Sequence, residues 1–288
     1  MKSIANENQI VRTDCLDGMA GMPDEIIPLT VTSPPYDDLR TYDGHSKFDF
    51  FAVAKELYRV TMPGGVVVWV VQEQIVDGSE SGETSRQRLA FANMGFRLHH
   101  TMVMGKSGGH QHSSNRYGRP LEYAFILSKG PPRYFCPLRD KPNKEAGRVK
   151  SFNNRQRDGS FAPVKRRMTP PFGIRPPVWT YATGRNVTAK EGYALDHPAV
   201  MPERMAQDHI LSWSKVGDLV FDPFAGSGTV PKMARLNYRN YLGFEINPAY
   251  VQIARRRLRD AGEQIRQRAE EALADDFTEL TGGRRASK

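Results

Sequence analysis

Short apolar runs alternate with amphipathic stretches along most of this chain. Apolar runs predict strands at residues 9–12, 26–31, 66–71, 97–104, 121–127, 219–221 and 241–245. Helical spacing of apolar residues, or the signals that begin and end helices, predict helices at residues 48–64, 88–94, 202–216, 229–236 and 248–275. The run at 66–71 is apolar at every position, which is typical of a central strand buried on both faces. The alternation predicts an α/β fold with a mostly parallel sheet.

One segment departs from this pattern. Residues 131–178 contain many prolines, lysines and arginines with interleaved aromatic residues and few acids. Such a composition buries little by itself, and it favours an insert that becomes ordered on DNA; a solvated basic linker is the alternative. We therefore predict two halves of one domain, 1–130 and 179–275, separated by the insert at 131–178. Residues 276–288 are predicted to form a disordered tail, and the charged stretch 255–271 either projects or pairs with a second subunit.

Composition narrows the classes of function. The net charge of +9 and the isoelectric point near 9.6 favour an anionic partner. Two cysteines exclude a disulfide framework and a four-cysteine zinc site, and we predict no metal. No apolar signal segment or run of about 20 apolar residues is present, which predicts a cytoplasmic protein.

The first candidate site is the sequence Thr-Ser-Pro-Pro-Tyr at residues 32–36, which follows a predicted strand. The two prolines remove backbone donors and disfavour helix, so carbonyl oxygens remain available to a ligand. Tyr36 offers a flat face beside the Ser33 hydroxyl and the Pro34 carbonyl. A planar base with an exocyclic amino group fits this arrangement; a Pro-Pro turn with a core tyrosine is the alternative.

The second candidate site is a glycine-containing turn between a strand and a helix at residues 217–230. Asp222 ends the strand, and Glu245 ends the next predicted strand, where a carboxylate suits ribose hydroxyls. Because no lysine follows Gly228, the turn is not a phosphate-binding P-loop. The ligand therefore has a ribose without phosphate, and S-adenosylmethionine fits, with its amino acid moiety at the turn.

Together the two sites resemble the exocyclic-amino DNA methyltransferases, which methylate adenine N6 or cytosine N4. Residues 33–36 and 222–229 carry the resemblance, and residues 197–203 are similar to the segment that precedes the cofactor turn in that family. The catalytic motif precedes the cofactor motif, as in the β arrangement of the family. The resemblance implies a Rossmann-like, S-adenosylmethionine-dependent methyltransferase sheet with circularly permuted motif order and a basic DNA-recognition insert.

The resemblance also implies roles for individual residues. The catalytic residues would be Ser33, Pro34, Pro35 and Tyr36. The cofactor-binding residues would be Asp14, Cys15, Asp222, Phe224, Ala225, Gly226, Ser227, Gly228, Thr229 and Glu245, where Asp14 equally suits a helix cap. The DNA-binding residues would be Arg40, Arg119, Arg133, Arg148, Lys150, Arg155, Arg157, Lys165, Arg166 and Arg167.

The predicted function is sequence-specific methylation of the amino group of a flipped base in double-stranded DNA. Adenine N6 is narrowly favoured, with cytosine N4 as the alternative. A catalytically inactive DNA-binding regulator is the alternative of another class, and a protein or RNA methyltransferase is disfavoured by the motif order. The family implies a homodimer. Whether the protein is solitary or works beside a separate restriction endonuclease stays open.

Overall fold

The computed structural model describes residues 8–35, 49–107, 117–118 and 121–282. It divides the chain into two compact units. The main unit comprises the residues up to Phe135 and those from Val178 onward, and the insert unit comprises Cys136–Pro177. The insert unit therefore interrupts the main unit in sequence.

The secondary structure follows the predicted order. The first half of the main unit contains β1 (Gln9–Arg12), α1 (Cys15–Ala20), β2 (Ile27–Thr32), α2 (Phe50–Val60), β3 (Thr61–Val71), β4 (Ile75–Val76), β5 (Ser79–Glu80), α3 (Glu83–Asn93), β6 (Arg97–Lys106) and β7 (Leu121–Ser128). The insert unit contains β8 (Lys141–Pro142), β9 (Val149–Phe152), β10 (Lys165–Met168) and β11 (Phe172–Gly173). The second half contains β12 (Val178–Tyr181), a 3-10 helix (Gly192–Asp196), α4 (Glu203–Trp213), β13 (Leu219–Asp222), α5 (Thr229–Leu236), β14 (Asn240–Glu245) and α6 (Pro248–Gly282).

Eight strands form one sheet in the order β1-β14-β13-β2-β3-β7-β6-β12. In the described part, β7 runs antiparallel to its two neighbours, and the other strands share one direction. The α/β class with a mostly parallel sheet is confirmed. The carboxyl ends of the four adjacent strands β1, β14, β13 and β2 meet at one edge, where open α/β sheets bind ligands.

The core explains why residues 66–71 of β3 are apolar at every position. Residues 66–71 are all buried, and Trp69 is 0% exposed, with its indole nitrogen 2.9 Å from Gln87 Oε1. The rings of Phe50 and Phe91 pack edge-on against Trp69, with centroids 6.0 and 5.2 Å away. Helices α2 and α3 therefore cover one face of the sheet at β3, the strand next to β2.

The helix predicted at 48–64 ends earlier, at Val60, and strand β3 begins at Thr61. Pro63 disfavours helical backbone at the residue before it, and Gly64 takes a φ of +76°. Residues 73–86, which lie between the predicted strand at 66–71 and the predicted helix at 88–94, contain β4, β5 and the start of α3. The carboxylate of Glu73 accepts hydrogen bonds from the Glu83 amide at 3.1 Å and from Thr84 Oγ1, which fixes this start.

Helix α6 is longer than predicted. It continues to Gly282, so residues 276–282 are helical instead of belonging to a disordered tail, and residues 283–288 lie outside the described residues. Within the described chain, no helix is both long and apolar enough to cross a membrane.

The insert unit is a long two-stranded ribbon. Its arms pair through β8 with β11 and through β9 with β10, and backbone hydrogen bonds continue the pairing at both ends. The Arg175 amide donates to the Leu138 carbonyl at 2.9 Å, and the Gln156 amide donates to the Ser160 carbonyl at 2.7 Å. Most of its residues are exposed and none is buried, which agrees with the small number of apolar residues in the segment.

Candidate cofactor and catalytic site

A cavity of about 480 Å³ lies at the carboxyl ends of β1, β2, β13 and β14. Both motifs open into it. From the first motif, Ser33, Pro34 and Pro35 line the cavity. From the second, the lining includes Asp222, Phe224, Ala225, Gly226, Ser227, Thr229 and Glu245. The structure therefore brings together two segments that lie about 190 residues apart.

A buried hydrogen bond joins the two motifs directly. Thr32 Oγ1 donates to Asp222 Oδ1 at 2.7 Å, and the Phe224 amide donates to the same oxygen at 3.0 Å. Burial raises the pKa of Asp222 to about 7, and the charge of Glu245 adds to the rise, while these two hydrogen bonds oppose it. Asp222 thus titrates near neutral pH at the floor of the cavity.

Glu245 is held by the backbone on both of its oxygens. The Gly226 amide donates to Oε2 at 2.8 Å, and the Asn247 amide donates to Oε1 at 2.7 Å. This geometry orients the carboxylate toward the cavity that it lines and fixes the turn against the end of β14. A carboxylate held in this way suits a pair of vicinal hydroxyl donors.

The structure requires glycine at two positions of the turn. Gly226 has a φ of +50°, and an added Cβ would lie 2.8 Å from His197 Nε2. Gly228 has a φ of +77°, and an added Cβ would lie 2.6 Å from Ala254 Cβ. Gly226 lines the cavity, whereas Gly228 packs under α6. The cofactor contact of Gly228 stays a prediction, and its close packing on Ala254 is the reason that the structure gives for glycine at this position.

Asp14 and Cys15 line the cavity from the end of β1. Asp14 caps α1 by accepting from the Leu16 amide at 2.8 Å, so the helix-cap role is present together with a position in the cavity. Burial raises the pKa of the Cys15 thiol to about 12, and the charge of Asp14 acts in the same direction. The thiol is therefore neutral at physiological pH.

The charge of the lining selects among ligands. Asp14, Asp222 and Glu245 place three carboxyl groups around the cavity, and the described residues that line it include no lysine or arginine. Such a site repels phosphate groups and favours a ligand that carries positive charge and hydrogen-bond donors. The same set of acceptors accommodates a nucleoside with ribose hydroxyls, an adenine amino group and a cationic tail.

A family comparison decides the class of the protein. The DNA methylase family model for the N6/N4 class matches residues 27–256. The chain belongs to the N6/N4 DNA methylase family. The resemblance inferred from the two motifs is thereby confirmed, as is an amino-group DNA methyltransferase as the kind of enzyme.

Individual relatives agree. The methylase is 47% identical over 237 residues to the orphan methyltransferase M.BamHII of Bacillus amyloliquefaciens, covering 81% of this chain and 89% of that protein. Its fold is similar to the cytosine-N4-specific PvuII DNA methyltransferase, with a TM-score of 0.62, 19% identity and coverage of 86% and 85%. It is also similar to a DNA modification methylase from Thermus thermophilus complexed with S-adenosyl-L-methionine, with a TM-score of 0.58, 23% identity and coverage of 88% and 95%.

A buried charged cluster supports the turn of the methylase. Arg257 and Lys232 are each 0% exposed and share the carboxylates of Glu191 and Glu203. Arg257 also donates to Ser227 Oγ at 3.2 Å. Arg257 on α6 therefore hydrogen-bonds hydroxyls that are predicted to bind the cofactor. The pKa of Glu191 is lowered, because the two cations outweigh the effect of its burial.

Sequence reasoning missed several residues of the site. His197, Met201, Asn247 and Tyr250 line the cavity, and the imidazole ring of His197 lies 4.4 Å from the Tyr250 ring. The Ala199 amide donates to His197 Nδ1 at 3.1 Å, which sets the ring orientation. The signal for His197 and Met201 was the segment 197–203, which the family resemblance included without a role.

The predicted DNA-binding residues fall into three groups. Arg40 and Arg119 form the first group and lie outside the described residues, as does Tyr36 of the catalytic motif. Arg133 forms an ion pair with Asp218 at the amino end of β13, so the structure does not bring it to the cavity edge of the sheet. The remaining residues are exposed on the insert unit: Arg148, Lys150, Arg155, Arg157, Lys165, Arg166 and Arg167.

Proposed function

We propose that this methylase transfers a methyl group from S-adenosylmethionine to the exocyclic amino nitrogen of a base flipped out of double-stranded DNA, with adenine N6 narrowly favoured. The observation that carries the proposal is the shared cavity. Ser33 at the end of β2 and Glu245 at the end of β14 line the same space. The hydrogen bond between Thr32 and Asp222 joins the end of β2 to the end of β13, the strand that lies between β2 and β14.

The cofactor half of the cavity fits S-adenosylmethionine. Glu245 would accept from the ribose hydroxyls, Asp14 from the adenine amino group, and the turn beginning at Asp222 would hold the amino acid moiety. When bound, the cofactor supplies a methyl group on a positively charged sulfur. The excess of carboxylates stabilises that charge, and the absence of lysine and arginine from the described lining disfavours nucleotides.

The catalytic half would act on the flipped base. Flipping costs a few kcal/mol, and stacking on Tyr36 offsets it by about 1–3 kcal/mol. The Ser33 hydroxyl and the Pro34 carbonyl would accept the two amino hydrogens, which makes the nitrogen lone pair available for attack. Their contribution is positioning and stabilisation of the positive charge that develops on nitrogen. A serine cannot supply a negative charge, so the released proton passes to water.

The target base decides between two chemistries. In the resembled family, serine before the Pro-Pro-Tyr sequence is commoner among cytosine-N4 enzymes, whereas adenine-N6 enzymes are commoner overall and some carry serine. Plasmid DNA methylated in vitro, digested to nucleosides and measured by mass spectrometry distinguishes the two. N6-methyladenine is the expected product, and N4-methylcytosine alone would assign the alternative.

The same assay tests the alternative function, a catalytically inactive DNA-binding regulator. We expect Tyr36→Ala to abolish methyl transfer while S-adenosylmethionine binding in calorimetry is unchanged. A regulator without catalysis would bind DNA, bind no S-adenosylmethionine and give no methylated nucleoside with the unchanged protein.

The partners follow from the family. Double-stranded DNA is the macromolecular substrate, acted on in the cytoplasm. The relative from Bacillus amyloliquefaciens is named an orphan methyltransferase, which supports a solitary role without a paired endonuclease. We also propose a circularly permuted motif order and a homodimer. Sedimentation of the full chain measures the oligomeric state.

A further inference from the structure

The ribbon of the insert unit has two chemically different faces. In an antiparallel pair, residues directly opposite each other project to the same face, and neighbours along a strand project to opposite faces. Lys165 is opposite Phe152, and Arg167 is opposite Lys150. These four side chains therefore share one face of the ribbon, the basic face.

The other face carries one cation among its four side chains. Met168 is opposite Val149, and Arg166 is opposite Ser151. All eight residues of β9 and β10 are exposed, so burial does not explain the difference. Three consecutive basic residues, Lys165, Arg166 and Arg167, thus point alternately to the two faces of the ribbon.

The basic face is unfavourable for the ribbon alone. Directly opposed like charges destabilise a strand pair, and Lys150 and Arg167 are opposed in this way. Glu145 forms an ion pair with Lys150 and compensates part of the repulsion. A local arrangement that opposes folding is typical of a binding surface, and a polyanion would relieve the remaining repulsion.

We propose that the basic face, formed by Lys150, Phe152, Lys165 and Arg167, is the surface of the insert unit that lies against duplex DNA. The proposal rests on the DNA methyltransferase function above and refines it. A two-stranded ribbon has a width that the major groove admits, and the three cations neutralise phosphates or reach base edges. Arg166 faces away and contributes little, although its charge and sequence neighbourhood match those of Lys165 and Arg167.

The test compares Lys165→Ala, Arg166→Ala and Arg167→Ala in the full-length protein. Each variant removes one positive charge from adjacent exposed positions, so a general electrostatic effect would be equal in all three. The affinity for a fluorescent duplex of mixed sequence, about 30 base pairs long, is measured at several salt concentrations. We expect Lys165→Ala and Arg167→Ala each to weaken binding by about three- to tenfold and to reduce the slope of log affinity against log salt by about one.

Arg166→Ala is expected to change the affinity by less than about twofold. Phe152→Ala is expected to weaken binding, with Val149→Ala on the opposite face as its matched control. Equal effects at residues 165, 166 and 167, or a dominant effect of Arg166, would overturn the proposal. S-adenosylmethionine binding and thermal melting of each variant check that the main unit is intact.

Different results would refute the proposed function and the assignment of the basic face. If the unchanged protein methylates plasmid DNA and the three variants lose affinity equally, the function stands and the assigned face is wrong. If the unchanged protein yields no methylated nucleoside with S-adenosylmethionine, the function is wrong, whatever the pattern of DNA affinity.

Discussion

The guanidinium of Arg257, on α6, donates a hydrogen bond of 2.9 Å to Thr229 Oγ1 at the start of α5. It also donates to the Ser227 carbonyl at 3.0 Å and to Glu203 Oε1 at 2.6 Å. One buried side chain thus connects the cofactor turn, the helix that follows it and the charged cluster. The shape of the turn therefore depends on a residue that does not line the cavity.

Arg257→Met is expected to lower the free energy of unfolding by about 3–5 kcal/mol, because it leaves the carboxylates of Glu203 and Glu191 with Lys232 alone among the cations of the described cluster. It is also expected to weaken S-adenosylmethionine binding, since the turn loses its support. Urea unfolding and calorimetry measure the two effects.

Arg256→Met is the matched control. Arg256 is adjacent on the same helix but exposed, with its guanidinium carbon 3.9 Å from the centre of the Tyr193 ring. We expect it to cost at most about 1 kcal/mol. Adding Glu203→Gln to Arg257→Met should recover part of the lost stability. A loss for Arg257→Met no larger than that of the control would show that the cluster does not stabilise the turn.

S-adenosylmethionine affinity is expected to depend on pH through Asp222. The folded-state pKa of this carboxyl is raised from 3.8 to about 7, so below pH 7 it is protonated and must lose its proton to stabilise a cation. The dissociation constant should therefore increase by up to about tenfold per pH unit as the pH falls below 7. Calorimetry at a series of pH values on both sides of the folded pKa measures it.

Asp222→Asn should remove this dependence, because an amide keeps the acceptor for Thr32 and does not titrate. S-adenosylhomocysteine, which lacks the sulfonium charge, should show a weaker dependence with the unchanged protein. An identical pH profile for Asp222→Asn and the unchanged protein would assign the titration to another group.

The raised pKa of Asp222 also predicts the pH dependence of stability. Below its ordinary value the carboxyl is neutral in the folded and unfolded states, and the folded state becomes less favourable as the pH rises from there through about 7. Asp222→Asn should therefore gain stability relative to the unchanged protein between about pH 4 and pH 7, by a few kcal/mol at the upper end. Thermal melts across this range measure the gain.

Glu245 is expected to discriminate the ribose of the cofactor. Glu245→Gln should weaken S-adenosylmethionine binding by about 10- to 100-fold, because one of its two acceptor oxygens is lost. Part of that loss comes from the Gly226 and Asn247 amides, which Glu245 also binds. A 2′-deoxyribose analogue separates the two effects: the unchanged protein should prefer the natural ribose, and Glu245→Gln should lose that preference. A preserved preference would refute the ribose assignment.

Ser33→Ala is expected to reduce the single-turnover rate constant of methyl transfer by about 100-fold without changing S-adenosylmethionine affinity, because it removes one acceptor for the amino hydrogens and leaves the Pro34 carbonyl in place. Single-turnover methylation of plasmid DNA measures the rate, and calorimetry measures the affinity. Ser79→Ala, at an exposed position of β5, is the control. A normal rate for Ser33→Ala would leave the carbonyl as the sole acceptor.

The parts of the site that sequence predicted are those with local signals. The strand ending at Asp222, the turn and the helix Thr229–Leu236 follow one another within eighteen residues, and each has its own pattern of apolar residues and glycines. The structure agrees with the helix at both ends. Glu245 was found for the same reason, at the end of the next strand along the chain.

The buried cluster could not be predicted in the same way. Arg257 lies in a heavily charged helical stretch, which indicates solvent exposure when it is considered by itself. Its partner Glu191 is 66 residues away, and only the three-dimensional packing brings the two together. The strand order has the same limitation, since local patterns do not show that β13 and β14 lie between β1 and β2.

Strand β1 hydrogen-bonds along the sheet to β14, from Gln9 opposite Leu242 to Arg12 opposite Glu245. During synthesis its partner therefore emerges more than two hundred residues later, which at about 5–20 residues per second is roughly 10–50 seconds. Throughout that interval the ribosome carries a nascent chain in which the edge formed by the carboxyl ends of β1, β14, β13 and β2 cannot assemble. Nascent chains arrested before Glu245 should be cleaved rapidly by added protease, and protection should appear late and in one step as the final two strands arrive.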